Sequence, residues 1–210
     1  MNLGQFYREI DLETAKHGAL MKNIPGATRR AIRFLEQNYS FEYMRQVVAL
    51  TLTSREFAFP PTRYKKLEAI RRWYEGDDAV RRYAAVPEVS PNDFCHLETD
   101  AHPNGYYKAA GKLYFDGYQT TAPVTTLELF CVVYTDFDCL SETSDHPLIT
   151  SFESVLTPRV MMELGPTARE PDWITDYGAL WQQNQQAMVQ AQDDYDFSGP
   201  PERWVMGAGT

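Results

Sequence analysis

Hydrophobic residues recur along this chain at two spacings, and the spacing in each stretch predicts the element that forms there. Leu3, Phe6 and Ile10, with Ala15 beyond them, fall on one side of a helix predicted over residues 1 to 22. Asn23-Ile-Pro-Gly breaks that helix, and Pro25 suits the start of a second one to Asn38, because a first helical turn leaves its N–H groups unpaired anyway. Ala31, Ile32, Leu35 and Tyr39 make its apolar stripe. Tyr43 to Leu52 partly alternates and reads as a strand, with a turn at Thr53 to Glu56 and an extended Phe57-Ala-Phe59-Pro60-Pro61 after it. Tyr64 to Tyr74 is ambiguous. Tyr64, Leu67, Ile70 and Tyr74 step like a helix, whereas Leu67, Ala69, Arg71 and Trp73 would share one face of a strand. Periodicity alone favours the helix.

Further on, Gly76-Asp77-Asp78 marks a turn, and Val80 to Ala85 a short strand or a helix start. Ser90 before Pro91 is a helix N-cap signal. His102-Pro-Asn-Gly is a turn, and Tyr106 to Ala109 with Lys112 to Phe115 predicts an antiparallel hairpin through Ala110-Gly111. Leu127 to Phe137 predicts an aliphatic strand. Ser144 or Asp145 would cap a helix from Pro147, bent near Ser154 by Pro158 and ended by Gly165-Pro166. Pro171 and Asp172 then launch a helix to Tyr195 with the cleanest periodicity in the chain: Ile174, Tyr177, Trp181, Asn184, Met188, Ala191 and Tyr195. Its other face carries Gln182, Gln183, Gln185, Gln186, Gln190 and Gln192. Residues 197–210 show no periodicity and read as an extended arm carrying Trp204, Val205 and Met206. The fold class expected is α+β: a helical body of residues 1–40 and 145–195, an inserted antiparallel β-rich region of 41–137, and the arm, with residues 1–196 as one domain.

Composition narrows the function. A net charge of −9 leaves no basic groove for gripping nucleic acid. Three cysteines, an odd number with no CxxC, argue for structural thiols in a reducing compartment. No stretch approaches the run of apolar residues that spans a membrane, and the N-terminal residues lack a signal-peptide core, so a soluble chain with no cleaved signal is expected. Tyr is abundant, at 13 copies, and supplies either a Tyr-rich core or an interface.

Candidate chemistry is thin. No GxSxG, phosphate loop or dinucleotide loop occurs, which leaves no cofactor to expect. Cys95-His96 are neighbours and do not face each other on a helix. His96, Asp100 and His102 lie close in sequence, but the Pro103-Asn104-Gly105 turn favours a solvated loop over a metal site. Asp136 and Asp138 would share a strand face, and with Glu142 they supply the acids a glycan hydrolase would need.

Two N-terminal helices, a strand, EFAFPPTRYKKLEAI, a Gly-Tyr-Tyr strand, GKLYF, LELFCVVYTDF, the Cys139-Leu140-Ser141-Glu142-Thr143 turn, LITSFESVL and the last helix follow one another in a distinctive order. Over residues 24 to 195 this order resembles the head-to-tail adaptor (connector) proteins of tailed bacteriophages. Phe59-Pro60-Pro61 departs from that family's Leu-Pro turn, and Pro158 within the penultimate helix is a second departure. The resemblance implies that Tyr64 to Trp73 is a strand. It further implies a structural, non-enzymatic virion protein, assembled in the host cytoplasm, in which twelve copies form a ring between the portal protein and the tail protein (nozzle or tail tube). DNA would pass through the ring without specific binding. Trp181, Gln185, Met188, Trp204, Val205 and Met206 are the candidate interface residues. The alternatives are a virion-associated cell-wall glycan hydrolase, another head-completion or tail-joining protein, or a cytosolic binding module.

Overall fold

The computed structural model describes residues 1–15, 20–58, 63–75, 81–94, 102–117 and 126–197. Among the described residues the architecture is α+β, with six α-helices and two antiparallel sheets of four and three strands. The chain divides into two compact units, Met1–Phe41 with Thr135–Thr210, and Glu42–Tyr134.

The first unit is helical. α1 (Leu3–Thr14) opens with a capping box, in which Asn2 and Gln5 each accept the other's backbone N–H at 2.9 Å. Leu3, Phe6, Ile10 and Thr14 are buried, and the helix ends at Thr14 instead of continuing to residue 22. Thr14, not Ala15, completes the stripe, because its hydroxyl bonds back to the Ile10 carbonyl at 2.9 Å and can therefore be buried. α2 (Ile24–Asn38) buries Ala27, Ala31, Ile32 and Leu35. After the second unit come α4 (Pro147–Ser151), α5 (Glu153–Ala168) and α6 (Asp172–Phe197). The cap of α4 is His146, not Ser144 or Asp145: its Nδ1 accepts the Leu148 N–H at 3.2 Å.

The two prolines of α5 act differently from what the sequence suggests. The chain breaks at Phe152, between α4 and α5, and Pro158 lies inside a continuous helix. Proline removes the N–H that would have met the Ser154 carbonyl one turn back. Asn184 of α6 fills that vacancy, its Nδ2 donating to the Ser154 oxygen at 2.7 Å. Gly165-Pro166 does not end the helix either. α5 runs to Ala168 and stops at Arg169, in the left-handed region at φ 61°, where the Arg169 and Glu170 N–H groups both close onto the Gly165 carbonyl. α6 follows, about 39 Å long at 1.5 Å per residue.

The second unit is built of strands. β1 (Arg45–Thr51), β7 (Thr126–Val133), β3 (Tyr64–Glu75) and β4 (Arg81–Val86) form the four-stranded sheet in that order. β2 (Glu56–Ala58), β6 (Lys112–Phe115) and β5 (Tyr106–Ala109) form the other. Between β4 and β5 lies the one-turn α3 (Pro91–Phe94), capped by the Ser90 hydroxyl on the Asp93 N–H. Both sheets contribute to one buried cluster that includes Leu67, Ile70, Val86, Leu113, Phe115, Leu127, Leu129 and Cys131. The β5–β6 turn takes the positive φ its shape requires at Ala110 (49°) and Gly111 (73°). Asp116 anchors the preceding turn by accepting the Asn104 and Gly105 N–H groups at 2.9 and 3.1 Å.

The strand β3 overturns the helical periodicity of Tyr64 to Tyr74. Its pairing with β7 shifts register between Tyr64 and Lys66 and again between Leu67 and Ala69. Each bulge adds a residue, so the side chains turned to the core are Tyr64, Leu67 and Ile70. A strand with two bulges thereby reproduces a helix-like step of three.

Candidate functional site

Of the acids that a hydrolase would need, Asp136 serves as a local cap. β7 ends at Val133, so Asp136 and Asp138 do not share a strand face. Asp136 caps a single turn, Phe137–Cys139, accepting the Asp138 N–H at 3.1 Å and the Cys139 thiol at 3.0 Å. Asp138 and Glu142 are exposed. The turn that follows is tied internally by the Ser141, Thr143 and Ser144 hydroxyls, and externally by the Glu142 and Ser144 carbonyls, which accept the Gly4 and Leu3 N–H groups of α1 at 2.7 and 3.0 Å. Beside it lies a pocket of about 330 Å³ where Tyr7 and Arg29 meet Phe137, Leu140 and Glu142. Arg29 stacks 5.1 Å from the Phe137 ring centre, and burial pushes the Tyr7 hydroxyl's pKa up.

Behind this turn runs a buried polar relay that the sequence reading missed. Glu36, 0% exposed, accepts the Thr135 N–H at 3.1 and 3.2 Å, and also the Thr135 hydroxyl. The Thr135 Oγ1 lies 3.0 Å from His146 Nε2. Because His146 Nδ1 accepts from Leu148, the ring's one proton sits on Nε2 and points at Thr135. The His146 ring and the Thr135 hydroxyl thus each donate once and accept once, and the Glu36 carboxylate ends the chain as an acceptor. Burial lowers the His146 pKa to about 4, so the ring is neutral at ordinary pH. Within the helical unit the relay joins α2, Thr135 and the start of α4. The sign in the sequence is a histidine directly before the proline that opens α4.

The described members of the candidate interface set turn inward. Trp181 packs edge-on to Phe34 at 5.9 Å, and the Arg159 guanidinium sits 4.0 Å from the Phe34 ring centre and 2.7 Å from Glu163. The Gln185 amide donates to the Tyr39 hydroxyl, and Met188 is 2% exposed. The inward stripe is Trp173, Tyr177, Trp181, Asn184 and Met188, whereas Ile174 is 47% exposed. Trp173 takes the position expected for Ile174 because α5's turn brings its Cβ against Gly165. Trp204, Val205 and Met206 lie outside the described residues, as do Ala191 and Tyr195 as side chains. Gln182, Gln186 and Gln190 remain on the outer face, where with Gln185 and Val189 they line an open groove of about 480 Å³.

In the second unit, the outer flanks of the four-stranded sheet stand out. Among the described residues no strand pairs with the outer side of β1 or of β4. Arg71 is spent within the sheet, bonding Glu128 and stacking 4.5 Å from the Tyr83 ring centre. Cys131 is buried with its thiol pKa pushed up to about 11 by burial, and so is protonated and unreactive at neutral pH. Among the described residues no three His, Cys, Asp or Glu side chains group as metal ligands do; His96 and Asp100 lie outside them. Among the described residues no helix is long and apolar enough to cross a membrane.

Compared with known protein families and with characterised proteins, the sequence matches none.

Proposed function

We propose that this chain is a structural virion protein of a tailed bacteriophage, a head-to-tail adaptor whose copies form a ring joining the portal to the tail. The observation that carries the reading is β3. Periodicity favours a helix at Tyr64 to Tyr74, the resemblance to the adaptors implies a strand, and a strand is what stands there. The helix–sheet–helix order and the hydroxyl-rich turn between β7 and α4 support the same reading. In such a ring, twelve subunits of net charge −9 present an acidic channel through which DNA slides without adhering. Its partners are the portal protein, the tail protein and its own copies.

The test is a native mass measurement of the purified chain with and without portal. A ring-sized assembly on the portal supports the adaptor; a chain that stays monomeric and bypasses the portal refutes it.

A further inference from the structure

We infer that neighbouring copies join edge to edge through the four-stranded sheet, β4 of one copy pairing antiparallel with β1 of the next. This deepens the ring reading and rests on it. Every neighbouring pair in the order β1-β7-β3-β4 is antiparallel, so β1 and β4 run in opposite directions. A repeat of the sheet therefore sets β4 antiparallel to the next copy's β1, extending one continuous antiparallel ladder. A sheet with an odd number of strands would instead force a parallel, less favourable junction.

Apart from Arg45 at the start of β1 and Arg81 and Arg82 at the start of β4, both edges lack the devices by which solitary sheets avoid pairing. Edge strands are ordinarily blunted by lysine, proline, a bulge or extreme shortness. β1 pairs all seven of its residues with β7 without a shift, and β4 all six of its residues with β3; neither contains lysine or proline. Both carry an exposed apolar side chain on the face away from the buried cluster. Val47 of β1 is 55% exposed and Tyr83 of β4 is 49% exposed. They stand on the same face because Val48 and Leu50 of β1, and Val86 of β4, turn to the cluster. An aromatic side chain beside a β-branched one is a favourable cross-strand pair. Charge fits the same direction. Arg45 begins β1 and Arg81 and Arg82 begin β4, so antiparallel pairing holds these cations at opposite ends of the junction, where parallel pairing would crowd them. Arg45 is moreover neutralised within its own copy by Glu42 at 2.8 Å and Glu68 at 3.4 Å.

The partner is a second copy of this chain, and the full chain tests it. One variant blocks β1 (Val47→Lys with Ala49→Lys); the other blocks β4 (Tyr83→Lys with Ala85→Lys). All four positions are exposed. Ala85→Lys alone serves where losing the Arg71–Tyr83 contact unfolds the pair, and thermal melts check each fold. Sedimentation at high concentration should show the wild type self-associating, and each variant alone monomeric, its self-association weakened about tenfold or more. Mixed in equal amounts, the two variants should form a 1:1 dimer, because each supplies the edge the other has lost. Association of either variant alone would mean two-fold pairing of like edges and would overturn the proposal. So would a mixture without a dimer, or a wild type that stays monomeric. If rings form on the portal equally well with both variants, the edge pairing fails while the adaptor reading stands.

Discussion

Acid should loosen this protein through one residue, His146. In the folded chain its ring is neutral, with Nδ1 capping α4 and the Nε2 proton given to Thr135, and burial lowers its pKa from 6.5 to about 4. In the unfolded chain the ring titrates near 6.5. Between about pH 6.5 and pH 4 the unfolded state therefore binds the extra proton, so stability rises with pH across that window and falls as acid is added. The protonated ring would also turn a second N–H against the Leu148 N–H, losing the cap. At about 1.4 kcal/mol per pH unit, the difference amounts to about 3 kcal/mol, complete once the pH falls to about 4. The assay is urea unfolding from about pH 7 down to about pH 4, for the wild type and for His146→Asn. Asparagine keeps an acceptor at the cap position and cannot titrate. Carboxylates common to both proteins cancel in the difference, so the gap between the two stabilities should shrink or reverse by about 3 kcal/mol on acidification. Parallel stability curves for the two proteins, or a folded-state imidazole titrating near pH 6.5 by NMR, would refute the argument.

Three further substitutions probe the helical unit. Asn184→Leu strands the Ser154 carbonyl beneath Pro158 and should cost about 1–2 kcal/mol by urea unfolding. In a Pro158→Ala background, which restores a backbone donor one turn on, the same change should cost less, and an unchanged cost in that double-mutant cycle would show that Asn184 acts otherwise. Gly165→Ala should lower the melting temperature, by about 1–2 kcal/mol in stability, since a Cβ there would stand 3.1 Å from the Glu170 carbonyl oxygen and 3.4 Å from the Trp173 Cβ. Trp181→Ala should cost about 3 kcal/mol, because the half-buried indole packs on Phe34 within its own unit; a fully stable monomer would place Trp181 in an interface instead.

Where local chemistry decides the structure, the residues can be read directly. Pro25 opens α2, Ser90 caps Pro91, and Ala110-Gly111 turns the β5–β6 hairpin. Where a distant partner decides it, the same rules mislead. Pro158 removes a backbone donor whatever surrounds it, but the bend expected from it depends on whether the freed carbonyl finds another, and Asn184 lies 30 residues away in sequence. In β3, two bulges convert a period of two into a step of three, and bulges are set by pairing with β7, not by β3 itself. The relay of Glu36, Thr135 and His146 spans 99 residues between its first two members and carries no local motif.

The inward turn of α6 changes where assembly contacts should be sought. Its apolar stripe invites an interface reading because Trp and Met are enriched both in cores and at contacts between subunits. Yet Met188 is buried in its own unit, and Gln185, although it lines the open groove, gives its amide to Tyr39. A residue that already closes its own unit cannot also drive association without being pulled out of it, at a cost comparable to the gain. What the helical unit leaves exposed on α6, among the described residues, is glutamine together with Ile174 and Leu180. The sheet edges of the other unit offer backbone groups in line that no strand pairs among the described residues, flanked by Val47 and Tyr83. Substitutions should therefore sort by unit. Those at Trp181 and Met188 should move the melting temperature and leave the association constant of the surviving folded protein unchanged, whereas those at Val47 and Ala49 should do the reverse. If stability and association move together at both places, the two roles are not separable and the edge-pairing argument loses its footing.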